Sequence, residues 1–192
     1  MVWLDSYWEG TNVSTFEFIA VLLSIIFGLA IANLLSGMVQ AFFRRDLTDT
    51  RLAWSILVGN LLLVNWWVFF QWSDHTHWRF HEFLYLATWA TVHYLMAVAL
   101  YPYEFLTDYS EKLQQKFVLI TLLAAVALDS GEKIIRGDIF DPWYLPLFYL
   151  YFVVFVALPL VFAKPWIMRL SGWTLAISML VWSVVVRSFL AS

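Results

Sequence analysis

The chain has 192 residues, of which 62% are hydrophobic and only 13% charged, with a mean hydropathy of +0.76. A soluble domain carries about a quarter charged residues and cannot hide that much apolar surface, so the composition excludes an ordinary water-soluble fold and points to a lipid-embedded one. The absence of Cys removes disulfides, thiolate metal sites and thiol nucleophiles, and a net charge of −3 excludes a polybasic nucleic-acid surface.

The first apolar run, 18–39, carries no charge. Ala30-Ile31-Ala32 imitates a signal-peptidase site, but Asp5, Glu9 and Glu17 precede the run and Arg44 and Arg45 follow it. A secretory signal has the opposite polarity, so the segment reads as an uncleaved first span. Within it Ala20, Ser24, Gly28, Ala32 and Ser36 recur every four residues. Small residues at that spacing let helix backbones approach closely, either inside the bundle or in a dimer. Asn33 lies beside this stripe and Glu17 at its end.

Span 2 covers 52–72 and contains Asn60 and Asn65. Buried Asn in a membrane helix ordinarily bonds across to a neighbour. The following loop reads Asp74-His75-Thr76-His77-Trp78-Arg79-Phe80-His81-Glu82. With a helix starting by His77, His77 and His81 share a face at i,i+4. Asp74, His75, His77 and His81 are thereby candidate ligands for a divalent metal, against the alternative of a solvated loop among lipid headgroups.

Span 3, 83–103, holds His93. It lies eleven residues after Glu82, which returns it to nearly the same helix face about 16 Å deeper. Glu82, Tyr85, Trp89 and His93 form one stripe. An ionisable group at that depth faces the bundle interior, either lining a path or bonded as a neutral imidazole to a neighbouring helix. Haem would need a second axial ligand at matching depth, and the other three His are superficial.

Span 4 is the ambiguous one. Lys116 and Asp129 enclose only twelve apolar residues, about 18 Å of helix. Crossing over 113–135 therefore requires Asp129, Glu132, Lys133 and Arg136 to enter the membrane as i,i+4 pairs. Otherwise the segment lies flat and the chain has five spans. Span 5, 143–163, is uncharged, and span 6 covers 170–190. With six spans the connections 1–2, 3–4 and 5–6 hold seven Lys/Arg and the other side four, which places both termini outside. Five spans also put the N-terminus outside. Trp3, Trp8, Trp67, Trp72, Trp78 and Trp143 would form one interfacial belt, and Trp54, Trp166 and Trp173 the other.

The string 16–29, with Trp66-Trp67 and Tyr101-Pro102, resembles a group of small uncharacterised polytopic proteins of the bacterial inner membrane. The resemblance covers the first half of the chain and implies that localisation, with no reaction or ligand to carry over.

The expected fold is an all-α polytopic transmembrane bundle of six helices. G-x-S-x-G, H-E-x-x-H and phosphate-binding glycine loops are all missing from the sequence, which points away from an enzyme. The leading function is transport or permeation of an ion, a proton or a small molecule, with Glu82, Tyr85, Trp89, His93, Asp129, Glu132, Lys133 and Arg136 along the path. A non-catalytic subunit or sensor, binding a second copy or another membrane protein through the Ala20–Ser36 stripe, is the first alternative. A metal- or haem-binding redox protein is the second. No cofactor is expected under the leading reading, and the lipid bilayer is the one partner common to all three.

Overall fold

A computed structural model describes residues 14–73, 75, 77–102 and 110–186. Six α-helices occur among them: α1 (Thr15–Phe43), α2 (Asp49–Phe69), α3 (Phe80–Leu100), α4 (Glu111–Arg136), α5 (Leu145–Phe162) and α6 (Pro165–Val181). A 3₁₀ turn, Phe70–Trp72, extends α2, and a π turn, Trp182–Val186, extends α6. Five of the helices, α4 excepted, are long and apolar enough to cross a membrane.

Local chemistry sets the helix ends. Ser14 caps α1: its Oγ accepts from Glu17 N at 3.1 Å, and Glu17 Oε2 accepts from Ser14 N at 2.7 Å. Glu17 is thus a capping group. Thr48 and Ser110 cap α2 and α4 through their hydroxyls. Gly137 closes α4 at φ 79°, a left-handed conformation that suits glycine. Pro165 opens α6, so that helix begins ahead of the apolar run at 170 and carries Arg169 in its second turn.

The helices close into a ring in the order α1, α2, α6, α5, α4, α3 and back to α1, with α2 and α3 also touching across the middle. The core runs through this middle: Leu23, Phe27, Trp54, Leu57, Leu62, Leu86, Met96, Leu122 and Leu175 are all at or below 2% exposure. Outward faces are apolar as well, with Phe18, Val21, Ile25, Leu147, Leu150 and Val161 exposed. Apolar side chains on both the inner and the outer face are what lipid permits and water does not.

Asparagines and small residues join the helices. Asn33 Nδ2 donates to the carbonyls of Ala97 and Tyr101, both at 3.3 Å, pinning α1 to the end of α3. Asn60 Nδ2 donates to Ser183 Oγ at 3.2 Å. Gly37 admits the Tyr101 side chain, and Gly172 admits Trp54, where any Cβ would crowd the ring. Trp54 and Trp72 are therefore core residues and take no part in an interfacial belt. Gly28, Ala32 and Ser36 point away from the bundle, and a Cβ on Gly28 would meet nothing within 4 Å. Most of the small-residue stripe therefore takes no part in internal packing.

Candidate functional site

The α3 stripe and the charged half of α4 meet. α4 runs antiparallel to α3, so its C-terminal turns lie beside the start of α3 and the loop that carries His75. We call this the histidine-loop end. Tyr85 donates its hydroxyl to the carbonyl of Leu128, and Gly131 leaves room for that ring. One turn further along α3, Trp89 Nε1 donates to Asp129 Oδ1 at 2.6 Å.

His93 follows Trp89 by one turn on the same face and has no exposure at all. Its Nδ1 lies 2.8 Å from the carbonyl oxygen of Trp89. A carbonyl only accepts, so Nδ1 carries a hydrogen. Nε2 then accepts from Asn65 Nδ2 at 2.6 Å. The same amide reaches Asp129 Oδ2 at 3.4 Å, and His93 Nε2 lies 3.8 Å from Asp129 Oδ1. Rings of Phe27 and Trp89 cover the imidazole, with centroids 5.8 and 5.2 Å away. Three helices, α2, α3 and α4, thus contribute Asn65, Trp89, His93 and Asp129 to one buried cluster. Beyond it along α3, Met96, Ala97 and Leu100 are buried and apolar.

On the other side of Asp129 lies a cavity of about 60 Å³. Its polar wall is Asn65, Asp129, Glu132 and Lys133. Its apolar wall includes Trp89, Phe148, Tyr149, Phe152, Met179 and Trp182. Every helix except α1 contributes. The volume suits a few water molecules or a guest of comparable size, and the polar wall supplies the partners such a guest needs. The Asp129 side chain is 16% exposed, so the carboxylate stands between the cavity and the sealed imidazole.

Charged groups frame the cavity at the histidine-loop end. Glu132, 4% exposed, accepts from Arg136 at 3.3 Å and lies 3.8 Å from Lys133 Nζ. Gln71 on the turn after α2 accepts from Arg136 at 3.2 Å and from Lys133 at 3.5 Å. Arg136 also lies over the Trp72 ring, 5.8 Å from its centroid, and 3.4 Å from Asp138. The expected Glu132–Arg136 pair thus forms, with Gln71 as an additional anchor on the turn after α2.

The histidine loop packs against the start of α3. His75 Nε2 lies 3.2 Å from Glu82 Oε2, and its ring stands edge-on to Trp72 and Trp78, with centroids at 5.6 and 4.9 Å. Glu82 Oε2 also accepts from Arg79 N at 2.8 Å, capping α3. His77 and His81 are exposed. No three His, Asp or Glu gather as metal ligands among the described residues, and Asp74 lies outside them. Glu82 is therefore spent on the loop and stands apart from the cavity wall.

Asn65 is the member of the cluster that the sequence did not assign to a site. Its polarity within an uncharged run marked it as a cross-helix bonding group, but only the contact between α2 and α3 supplies the partner. No protein-family model matches this chain, nor does any curated protein or solved structure.

Proposed function

We propose that this chain is a membrane-embedded transport or permeation protein for a proton, a small ion or a small polar solute, with the cavity beside Asp129 as its binding site. The observation that carries the reading is the placement of Asn65, Asp129, Glu132 and Lys133 around one small cavity inside the bundle. Polar and ionisable groups at that depth are costly, and where they face a cavity they mark pathways or binding sites. In this reading α4 is a sixth crossing, its charges facing inward or paired. The cavity communicates with the histidine-loop end, and apolar packing around Met96 closes the other. The Lys/Arg distribution and the resemblance of 16–29 to bacterial inner-membrane proteins favour that membrane, with both termini outside.

The test is flux of protons and monovalent cations in proteoliposomes carrying wild type, Asp129→Asn or His93→Ala. Wild type should exceed empty vesicles, with at least a tenfold loss in Asp129→Asn. Wild-type flux equal to that of empty vesicles would sink the proton and cation reading, and equal uptake of small polar solutes such as glycerol and urea would sink the rest.

A second reading, a non-catalytic partner subunit, is favoured by one feature. Gly28, Ala32 and Ser36 form an outward strip on α1 where a second helix could approach closely. Cross-linking through single cysteines at 28 and 32 tests it. A specific dimer that survives loss of flux activity would support it.

A further inference from the structure

We propose that the cavity site binds a proton on the Asp129 carboxylate and that Asn65, by occupying His93 Nε2, keeps the proton off the imidazole. The proposal takes from the reading above only the route of access. It concerns which atom binds the proton, and it stands or falls separately from whether anything is transported.

The imidazole has one arrangement in which each ring nitrogen meets its complement. His93 Nδ1–H donates to the Trp89 carbonyl at 2.8 Å. Asn65 has a donor end and an acceptor end, and its donor end faces both His93 Nε2 and Asp129 Oδ2. Turning the amide over would set its oxygen against the carboxylate, where two acceptors repel. A second proton on His93 would place Nε2–H against Asn65 N–H at 2.6 Å, two donors nose to nose. The amide would have to rotate by half a turn, which also withdraws its hydrogen from Asp129. His93 has no exposure to supply the proton directly.

Asp129 has neither obstacle. Its Oδ1 is taken by Trp89 Nε1 at 2.6 Å, whereas Oδ2 receives only the long 3.4 Å contact from Asn65. Oδ2 therefore keeps lone-pair capacity, and the side chain opens to the cavity. The groups around it are Asn65 from α2, Tyr85, Trp89 and His93 from α3, Glu132 and Lys133 from α4, and Tyr149 from α5, whose hydroxyl donates to the Asp129 backbone carbonyl at 3.4 Å. α6 contributes Met179, and the turn after it Trp182. The step is simple: a hydronium ion in the cavity gives up one O–H bond, Oδ2 forms one, and a water molecule is left. A carboxylate becomes a neutral acid, and the amide–imidazole pair is untouched. Asn65 and His93 are positioning residues here, and Asp129 is the binding group.

Infrared difference spectroscopy of the reconstituted protein between neutral and acidic pH tests the assignment, alongside nuclear magnetic resonance of ¹⁵N-labelled histidine. On acidification the wild-type spectrum should gain carboxylic-acid C=O intensity beyond that of the other 13 Asp and Glu residues, and this component should be missing from Asp129→Asn. At the same pH the His93 ring, assigned by loss of its signals in His93→Gln, should still show one protonated and one bare nitrogen. An imidazolium pattern for His93 without an Asp129 component overturns the proposal, and so does a carboxylic-acid spectrum that Asp129→Asn leaves unchanged. These wild-type and Asp129→Asn readings do not depend on altering Asn65. Asn65→Ala, or Asn65→Ser if the first does not fold, should move the proton onto His93 and shrink the carboxylic-acid band. An unchanged proton position in a folded Asn65 variant removes Asn65 from the proposed role. A protein that binds the proton but shows no flux keeps this inference and loses the transport reading.

Discussion

The indole of Trp89 donates to the carboxylate of Asp129 across 2.6 Å, and this bond ties α3 to α4 at the level of the cavity. A hydrogen bond to a charged acceptor contributes about 1.5–3 kcal/mol net, and stranding its partner in a buried place costs a similar amount. Trp89→Phe should therefore destabilise the protein by about 2 kcal/mol, because the carboxylate keeps only the long contact from Asn65. Asp129→Leu should also destabilise, leaving the indole N–H and one amide hydrogen unpaired. The double variant should cost less than the sum, with a coupling of about 1 kcal/mol or more. Denaturant unfolding of the detergent-solubilised protein measures all three. Additive costs would mean that the bond does not link the two helices.

Gly172 and Trp54 form a second close fit, between α6 and α2. A Cβ at position 172 would lie 2.9 Å from Trp54 Nε1, and that ring is 1% exposed with nowhere to retreat. Gly172→Ala improves helix propensity by about 1 kcal/mol, but overpacking a tight core costs about 1–3 kcal/mol. The clash should win, giving a lower melting temperature. Trp54 Nε1 also has no hydrogen-bond partner among the described residues. Trp54→Phe removes the nearest crowding atom, Nε1, and with it the unpaired donor, so it should recover part of the stability lost in the Gly172→Ala background. A melting temperature for Gly172→Ala at or above wild type contradicts this fit.

Two ion pairs should differ sharply in worth. Arg169 and Asp49 approach to 2.5 Å, but their side chains are 63% and 44% exposed. Such a pair contributes about 0–1 kcal/mol, so Arg169→Ala should change stability little. Glu132 is 4% exposed and faces Arg136 and Lys133. Removing a buried partner leaves charges uncompensated and costs about 3 kcal/mol when burial is complete. Arg136 keeps 25% exposure and a contact to Asp138, so Glu132→Ala should cost somewhat less, about 2 kcal/mol. Equal losses in the two variants would remove the distinction.

The sequence made some of this legible and hid the rest for physical reasons. Charge-free runs of helical length mark α1, α2, α3 and α5 because each hides its own backbone hydrogen bonds and needs no partner to be recognised. The period of Trp89 and His93 placed both on one face, and the structure brings that face to Asp129. The direction in which a helix faces was harder to read. α1 is apolar on every side, so its pattern carries no signal that separates lipid from core. The outward turn of Gly28, Ala32 and Ser36 depends on α2 and α3 packing against Leu23, Phe27 and Leu34 instead. Asn65 was visible as a polar group in span 2, but its two partners come from elements 28 and 64 residues away, and no local spacing encodes them.

Whether α4 crosses the membrane is open to direct measurement. Its apolar stretch is too short alone, yet the helix has 26 residues, about 39 Å against roughly 30 Å of hydrocarbon. Asp129 lies seven residues in from Arg136, about 10 Å, where Trp89 and Asn65 receive it inside the bundle. Glu132, Lys133 and Arg136 are anchored to one another and to Gln71 nearer the end. The charges that make α4 look unfit to cross are met by one another and, at Gln71, Asn65 and Trp89, by neighbouring elements. Because the chain has no Cys, each introduced thiol is unique. Asp138→Cys should react with a membrane-impermeant maleimide from the same side as His77→Cys. Lys116→Cys should react from the opposite side, together with Arg44→Cys. Labelling of Asp138→Cys and Lys116→Cys from one side would take α4 out of the membrane, leave five crossings, and deprive the cavity of the wall that carries its carboxylates.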